Sequence, residues 1–371
     1  MRKIKVLQIT PSLHIGGLEM VIANMCRHIS FKDNVDLSVC CIKELGSIGQ
    51  DLVRQGFSIT VLNKPKYLKN NYISWYQILS IVKNNNIEVL HSHTMDSLLD
   101  ATLCKLFNKQ IKTVHTFHYG NYPNIPRKYM YIEMICARYC DQLVAVGNEQ
   151  RKKIVKALNI SDDIIHTIWN GVPKSTINHY SSVIDNYRHD GTVIIGTVCT
   201  LIEQKGLFDL ITVADLLKKQ NIHAKFIIAG EGHLRDELEK EVKTLGLTDN
   251  VVFIGWVENA AHTFIPFIDI FYLPSLWEAM SVVVLEAMEA GKPVVTTNVG
   301  ENEHVIKNGI SGFVLESRNI EGMAEILKRL VNDENMRYIT GQKAKDSAHK
   351  SYGVNNMVSE YLKIYKNVIE R

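Results

Sequence analysis

No Cys-x-x-Cys pair occurs in this chain of 371 residues, and its seven cysteines are an odd number. That argues against a zinc ribbon, a thioredoxin-like redox pair and a disulfide framework. Cys26, Cys40, Cys41, Cys104, Cys136, Cys140 and Cys199 sit mostly among apolar neighbours, so they read as small core hydrophobes in a reducing compartment. No apolar run approaches the roughly 20 residues that a bilayer-spanning helix needs. The basic N-terminus is interrupted by Lys5 and Gln8, which makes it a first strand rather than a signal peptide. No Gly-x-Gly-x-x-Gly follows that strand, which disfavours a nicotinamide-dependent oxidoreductase. No Asp-x-Asp is present to hold a metal–diphosphate. His91, His93, His115 and His118 cluster after two candidate strands, but a zinc site would need a further ligand in matching geometry. They read as hydrogen-bonding groups on a cleft wall, and neither a metal nor a cofactor is expected.

What is present is a soluble composition, 46% hydrophobic and 22% charged, in a chain long enough for two cores. The net charge of +3 is unevenly spread. Residues 1–190 carry 23 Lys and Arg against 15 Asp and Glu, and residues 191–371 carry 19 against 24, so the halves stand at +8 and −5. A basic first half suits an anionic partner, such as a phospholipid surface or a phosphate-bearing acceptor; a merely solvated face is the alternative.

Short β-branched runs alternate with amphipathic stretches along the whole chain. Strands are expected at Lys5–Ile9, Asp36–Ile42, Ser58–Leu62, Val89–Ser92, Lys112–Thr116 and Gln142–Val146, with helices such as Leu18–Ser30 and Ser74–Asn84 between them. Pro173–Asp190 is polar and aperiodic and reads as a linker. Alternation resumes at Thr192–Val198, Lys225–Ala229, Val251–Ile254, Ile270–Leu273, Pro293–Thr296 and Gly312–Leu315. The pattern predicts an α/β protein of two doubly wound parallel-sheet domains, residues 1–180 and 190–353, facing each other across a cleft.

Four stretches carry candidate chemistry. Gly16 and Gly17 follow the first strand and open a helix, where bare backbone can approach a phosphate, although a plain tight turn also explains a Gly-Gly pair. Lys205, before Gly206, stands at a strand–helix turn and can neutralise a pyrophosphate; a solvated surface lysine is the alternative. Gly230 begins a Gly-x-Gly turn that leads to Arg235. The richest segment runs from Asp269 through Pro274, Ser275, Glu278, Met280, Ser281, Val282 and Glu286 to Pro293. Glu278 precedes a helix and Glu286 lies within it, and the helix N-terminal amides suit an anionic or hydroxyl-rich ligand. Carboxylates are good acceptors for sugar hydroxyls, whereas a helix cap and a solvent-facing residue are the plainer readings of the same pair.

Together these stretches resemble glycosyltransferase family 4, with its GT-B fold, over most of the chain and most densely from about residue 192 to 316. The resemblance rests on the Glu-x7-Glu pattern of Pro-Ser-Leu-Trp-Glu278 through Leu-Glu286-Ala-Met-Glu-Ala-Gly291-Lys-Pro-Val-Val. Ala-Gly230-Glu-Gly-His-Leu-Arg235, Asn170-Gly171-Val172, Gly16-Gly17-Leu-Glu19 and Thr116-Phe-His118-Tyr-Gly120 add to it. It implies a metal-independent, retaining enzyme that moves a hexose or related sugar from a nucleoside-diphosphate donor to a glycan or polyprenyl-linked acceptor in bacterial surface polysaccharide synthesis. A UDP-sugar is favoured over a GDP-sugar, and no nucleic acid is expected as a partner. By resemblance, Gly16, Gly17 and Gly230 approach the donor, and Lys205 pairs with its diphosphate. Glu278, with the amides of Met280, Ser281 and Val282, holds the sugar; Glu286 holds the ribose; His118 touches the sugar; and the last helix, Val354–Ile369, crosses back onto the first domain.

The chain departs from the family's pattern in places. Cys199-Thr200-Leu201 stands where Gly-Arg-Leu is usual, which removes a second diphosphate cation unless Arg235 or another residue supplies it. Gly300-Glu301-Asn302-Glu303-His304 replaces the second Gly and the Glu of a Gly-Gly-x-x-Glu segment. A catalytically weak nucleotide-sugar-binding protein of the same fold is the alternative reading. Epimerases of the fold lack the Ser-Leu-Trp-Glu helix, and no lysine is placed to carry the pyridoxal group of a phosphorylase. A cytoplasmic protein with peripheral contact to the inner membrane face is expected, through the basic first half and the aromatic-basic segment Tyr119 to Tyr131.

Overall fold

The computed structural model describes residues 2–14, 16–30, 33–62, 74–175, 182–188 and 191–370. The chain divides into two units, Met1–Gly171 with Val354–Arg371, and Val172–Gly353. Most of the stretch from Pro173 that reads as a linker falls in the second unit as described, with a short helix at Ser182–Asp185; residues 176–181 and 189–190 of it lie outside the described residues. At the start of the second unit, Val172 bridges to Gly353, and its amide donates to the Tyr352 carbonyl at 2.9 Å.

The first unit holds seven strands: β1 (Ile4–Ser12), β2 (Val35–Glu44), β3 (Ile59–Val61), β4 (Val89–Ser92), β5 (Lys112–Phe117), β6 (Gln142–Ala145) and β7 (Ile165–Thr167). They pair in parallel in the order β3-β2-β1-β4-β5-β6-β7. Strands β4 and β6 are buried throughout, as runs covered on both faces should be. The two-residue period of β2 explains its cysteine pair. Val39 and Cys41 pack into one apolar cluster, while Cys40 and Ile42 pack into another on the opposite face. All seven cysteines are free, and burial pushes the Cys41 thiol up to about 12. The edge strand β7 escapes the sequence pattern because three residues, with His166 at the centre, carry no readable alternation.

The C-terminal helix, Val354–Glu370, belongs to this unit and packs against the helix Gly17–His28. Its apolar face repeats at helical spacing, with Met357, Tyr361, Ile364, Tyr365 and Val368 all buried.

The second unit holds β8 (Val193–Val198), β9 (Ala224–Ala229), β10 (Val251–Gly255), β11 (Ile270–Leu273), β12 (Val294–Thr297) and β13 (Phe313–Leu315), all parallel in the order β10-β9-β8-β11-β12-β13. Ile195, Phe226, Ile228, Ile270 and Tyr272 from the sheet pack with Leu210, Leu217 and Leu327 from its helices. In each sheet the strand order reverses once, between β1 and β4 in the first and between β8 and β11 in the second. Ligands of open α/β sheets bind at the carboxyl ends of such strand pairs.

Candidate functional site

The second unit's reversal point carries the charged residues. Lys205 lies in the turn after β8, just before the helix Leu207–Lys219, and Glu278 lies in the loop after β11. Lys205 Nζ stands 2.5 Å from Glu278 Oε1, with both side chains largely buried. The same oxygen accepts from Ser275 Oγ at 2.9 Å, and Oε2 accepts from Gln204 Nε2 at 3.2 Å. Gln204 ties the two loops further: its Nε2 donates to the Trp277 carbonyl at 2.9 Å, and its carbonyl accepts from the Leu276 amide at 2.7 Å. Glu278 is therefore a carboxylate held by three donors before any ligand arrives, and it caps no helix.

This approach of the two loops depends on Gly206. Its φ is +64°, and a Cβ there would lie 2.0 Å from the Pro274 carbonyl oxygen. No other residue allows that backbone contact without displacing one loop. Gly230 is constrained in the same way, since a Cβ would lie 1.8 Å from the Cys199 carbonyl oxygen. Its missing side chain is used by the protein's own backbone, which brings the β9 turn against Cys199-Thr200-Leu201.

The helix Val282–Glu289 follows its N-cap Ser281, whose side chain accepts no hydrogen bond from the helix amides. Met280, Ser281 and Val282 are all buried beside this helix start. Glu286 and Glu289 sit on the same helix in opposite circumstances. Glu289 is buried and paired, with His349 Nε2 2.5 Å and the Ser175 amide 3.1 Å from Oε1. Glu286 has no hydrogen-bond partner among the described residues. It is partly accessible yet so closely surrounded that burial raises its pKa to about 7. An unpaired carboxyl in that setting is suited to accept from ligand hydroxyls.

Thr200 is exposed and supplies no charge. Arg235 does not fill the vacant cation position. Its Nη1 pairs with Glu231 at 2.8 Å, its Nε with Glu239 at 2.7 Å, and its Nη2 donates to the Phe253 carbonyl at 3.2 Å. Two carboxylates thus neutralise the guanidinium that the sequence offers as a substitute. Asn302, next to Glu301 in the segment that departs from the family pattern, donates to Thr296 Oγ1 at 3.2 Å and to the Thr297 carbonyl at 2.9 Å, locking the loop after β12 to its own strand.

The first unit's reversal point carries mainly glycines and imidazoles. Gly16 and Gly17 follow β1 and open the helix Gly17–His28; Ile15 beside them lies outside the described residues. A side chain at Gly16 would collide with the Glu19 carboxylate, whose pKa burial raises. His93 follows β4 and His118 follows β5, and His93 Nδ1 lies 3.0 Å from His118 Nε2. Burial, with smaller contributions from neighbouring imidazoles, holds His91 and His93 well below the usual histidine pKa. Burial pushes His118 down to about 3, so these rings are neutral at pH 7. No group of three or more His, Cys, Asp or Glu among the described residues is placed to hold a metal ion. Sequence reasoning missed Gln8, Tyr361 and Tyr365 as partners of the histidines. Two signals pointed to them: the polar break that Gln8 makes in an apolar strand, and two tyrosines four residues apart on the apolar face of the last helix.

Two family models match the chain. Glycosyltransferase Family 4 matches residues 15–175, and Glycosyl transferases group 1 matches residues 184–347. The chain is 25% identical to an uncharacterized glycosyltransferase of Methanocaldococcus jannaschii, covering 87% of this chain and 93% of that protein. It is 24% identical to the UDP-Gal:alpha-D-GlcNAc-diphosphoundecaprenol alpha-1,3-galactosyltransferase of Escherichia coli, covering 91% of this chain and 90% of that one. Among solved structures, HepE of Anabaena in complex with UDP and glucose superposes with a TM-score of 0.87 at 17% identity, covering 98% of this chain and all of that one. A glycosyltransferase from Rickettsia africae superposes with a TM-score of 0.84 at 19% identity over the full length of both. At such identities the superpositions show a shared GT-B fold.

Proposed function

The chain belongs to glycosyltransferase family 4, and on that premise we propose that it is a retaining, metal-independent hexosyltransferase. It uses a UDP-sugar and acts on a glycan or polyprenyl-linked acceptor of a bacterial surface polysaccharide. The observation that carries this reading is the Lys205–Glu278 pair at the carboxyl ends of β8 and β11, with an unpaired Glu286 on the adjoining helix. A nucleoside-diphosphate sugar has three parts that match three groups. The diphosphate takes Lys205 and the uncapped amides at Val282. The transferred sugar's hydroxyls take Glu278, and the ribose hydroxyls take Glu286. In the first unit, Gly16 and Gly17 offer backbone to the donor, and His118 offers a hydrogen bond to a sugar hydroxyl.

As the bond from the sugar's anomeric carbon to the diphosphate oxygen breaks, negative charge grows on the leaving group. A lysine and helix N-terminal amides fixed in place oppose that charge without reorganisation. Lys205 must leave or share Glu278 to do so, and the two negative charges of the diphosphate compete with the single carboxylate for it. In the described residues around this pair no side chain stands out as a covalent nucleophile. The acceptor hydroxyl therefore attacks from the face the diphosphate leaves, and a departing phosphate oxygen takes its proton. The Escherichia coli relative's diphosphoundecaprenol-linked substrate and the UDP bound in HepE support the donor and acceptor classes.

Contact with an anionic membrane surface forms part of the proposal. The helix Arg127–Ala137 exposes Arg127, Lys128, Tyr129, Tyr131 and Ile135, followed by Arg138 and Tyr139. No described helix is long and apolar enough to cross a membrane. Binding to anionic but not zwitterionic liposomes at low salt is expected, and failure to co-sediment with either removes the membrane from the account.

The function itself is tested with a panel of UDP- and GDP-sugars, following nucleoside diphosphate release and the anomeric configuration of the product. Release from a UDP-hexose with retention is expected. Binding of UDP-sugars without turnover on any lipid-linked acceptor would favour a binding protein of the same fold.

A further inference from the structure

We propose that Gln8 acts as a positioning residue that fixes the tautomer of His118 through His93, so that His118 presents a bare Nδ1 lone pair to its ligand. The inference follows from a continuous chain of hydrogen bonds inside the first unit. Gln8 Nε2 lies 2.8 Å from Tyr365 Oη and 3.9 Å from Met25 Sδ. Tyr365 Oη lies 2.7 Å from His91 Nδ1, and His91 Nε2 lies 2.8 Å from Thr116 Oγ1, which in turn lies 3.1 Å from Tyr361 Oη. On the other side, Gln8 Oε1 contacts His93 Nε2, and His93 Nδ1 contacts His118 Nε2 at 3.0 Å. Gln8, His91, His93, Thr116, Tyr361 and Tyr365 are all buried, so water cannot substitute for a missing partner.

Each neutral imidazole has one donor and one acceptor nitrogen, so one fixed end orders the whole chain. Met25 supplies that end. A thioether sulfur accepts and cannot donate, so the Gln8 atom facing both Met25 and Tyr365 is the amide nitrogen. The Gln8 carbonyl oxygen then faces His93 and requires a proton on His93 Nε2. His93 Nδ1 is left as an acceptor and takes the Nε2 proton of His118. His118 Nδ1 has no hydrogen-bond partner among the described residues and carries a lone pair. The other branch is equally determined. Tyr365 accepts from Gln8 and donates to His91 Nδ1, so His91 donates from Nε2 to Thr116. Rings held neutral by burial, as all three are, keep the alternation intact.

The consequence deepens the proposed function and rests on it. His118 accepts a hydrogen bond from a sugar hydroxyl and offers no N–H at that point. It therefore selects a ligand group that can donate. The C-terminal helix takes part through Tyr365, although that residue lies 247 positions from His118 in the sequence.

The test reads the ligand-free protein, so it stands apart from glycosyl transfer. Full-length protein labelled with nitrogen-15 in its histidines is recorded at pH 7 by long-range proton–nitrogen correlation, and the His118 signals are identified by their loss in His118→Asn. The expected wild-type pattern is protonated Nε2 and unprotonated Nδ1. Gln8→Leu removes both the donor and the acceptor, and His118 should move to a mixture of tautomers. Gln8→Glu still accepts from His93 Nε2, so His118 should keep its wild-type signature while His91 reverses, because Tyr365 must then donate to the carboxylate. A protonated Nδ1 on His118 in the wild type overturns the inference without any variant. An unchanged His118 in folded Gln8→Leu overturns it as well. A wild type with the expected tautomer but no donor turnover would uphold the relay and remove the glycosyl-transfer reading.

Discussion

The two units place their functional groups at equivalent points of the same topology and fill them with opposite chemistry. In the second unit, the strands flanking the order reversal deliver an ion pair, Lys205 with Glu278, and an unpaired carboxyl, Glu286. In the first unit they deliver glycines and neutral imidazoles linked to Gln8 and two tyrosines. A charged site can meet a diphosphate and stabilise its departure; a neutral relay can only orient hydrogen bonds. The same fold thus offers equivalent strand ends in both units, and the residues placed there give each unit a different chemical capacity.

Lys205 separates the two units most sharply. Lys205→Ala removes the cation proposed to meet the diphosphate and should lower kcat by about 100- to 1,000-fold, the range seen when one preorganised charge-stabilising donor is lost. His118→Asn should cost far less, because an orienting hydrogen bond is worth about 0.5–1.5 kcal/mol. Steady-state kinetics on both variants checks the ranking.

Acid stability sharpens the contrast from the other side. Burial pushes His115 and His118 down to about 3 in the folded protein, against an ordinary value near 6.5. Between those values the unfolded chain binds more protons, so stability is present above pH 6.5 and falls as pH drops. Each such histidine removes up to about 1.4 kcal/mol per pH unit in that window. Denaturant unfolding between pH 7 and 5 should show this loss, and His115→Gln should reduce the slope by one group's share.

Glu286 acts in the opposite sense. Its folded pKa is raised to about 7, so it contributes stability below pH 4.5 that is lost as pH rises through 7. Accepting ribose hydroxyls favours the ionised form. Affinity for an intact nucleotide sugar should therefore rise by up to about tenfold per unit as pH approaches 7, and then level off. Glu286→Gln should flatten that profile in titration calorimetry.

Much of this was legible from the sequence. Twelve of the thirteen strands lie where β-branched runs predict them, because buried parallel strands carry a continuous apolar signal. The residues that make up the second unit's candidate site were legible as a group too, because Lys205, Glu278 and Glu286 lie in local strand–loop–helix segments whose residue types survive as a pattern. The first unit's relay was not. It joins Gln8, His93, His118 and Tyr365 across most of the chain, and only tertiary packing brings them together. Arg235 shows the complementary failure: its sequence position offers a cation, while Glu231 and Glu239, each four residues away, neutralise it.

In the proposed function the second unit holds a nucleoside diphosphate through Lys205 and its ribose through Glu286. Titration calorimetry of UDP and of uridine against the wild type, Lys205→Ala and Glu286→Ala reads both contacts at once. UDP should bind the wild type more tightly than uridine does, Lys205→Ala should erase most of that difference, and Glu286→Ala should weaken both ligands alike. Equal UDP affinity in the wild type and both variants would rule out both contacts.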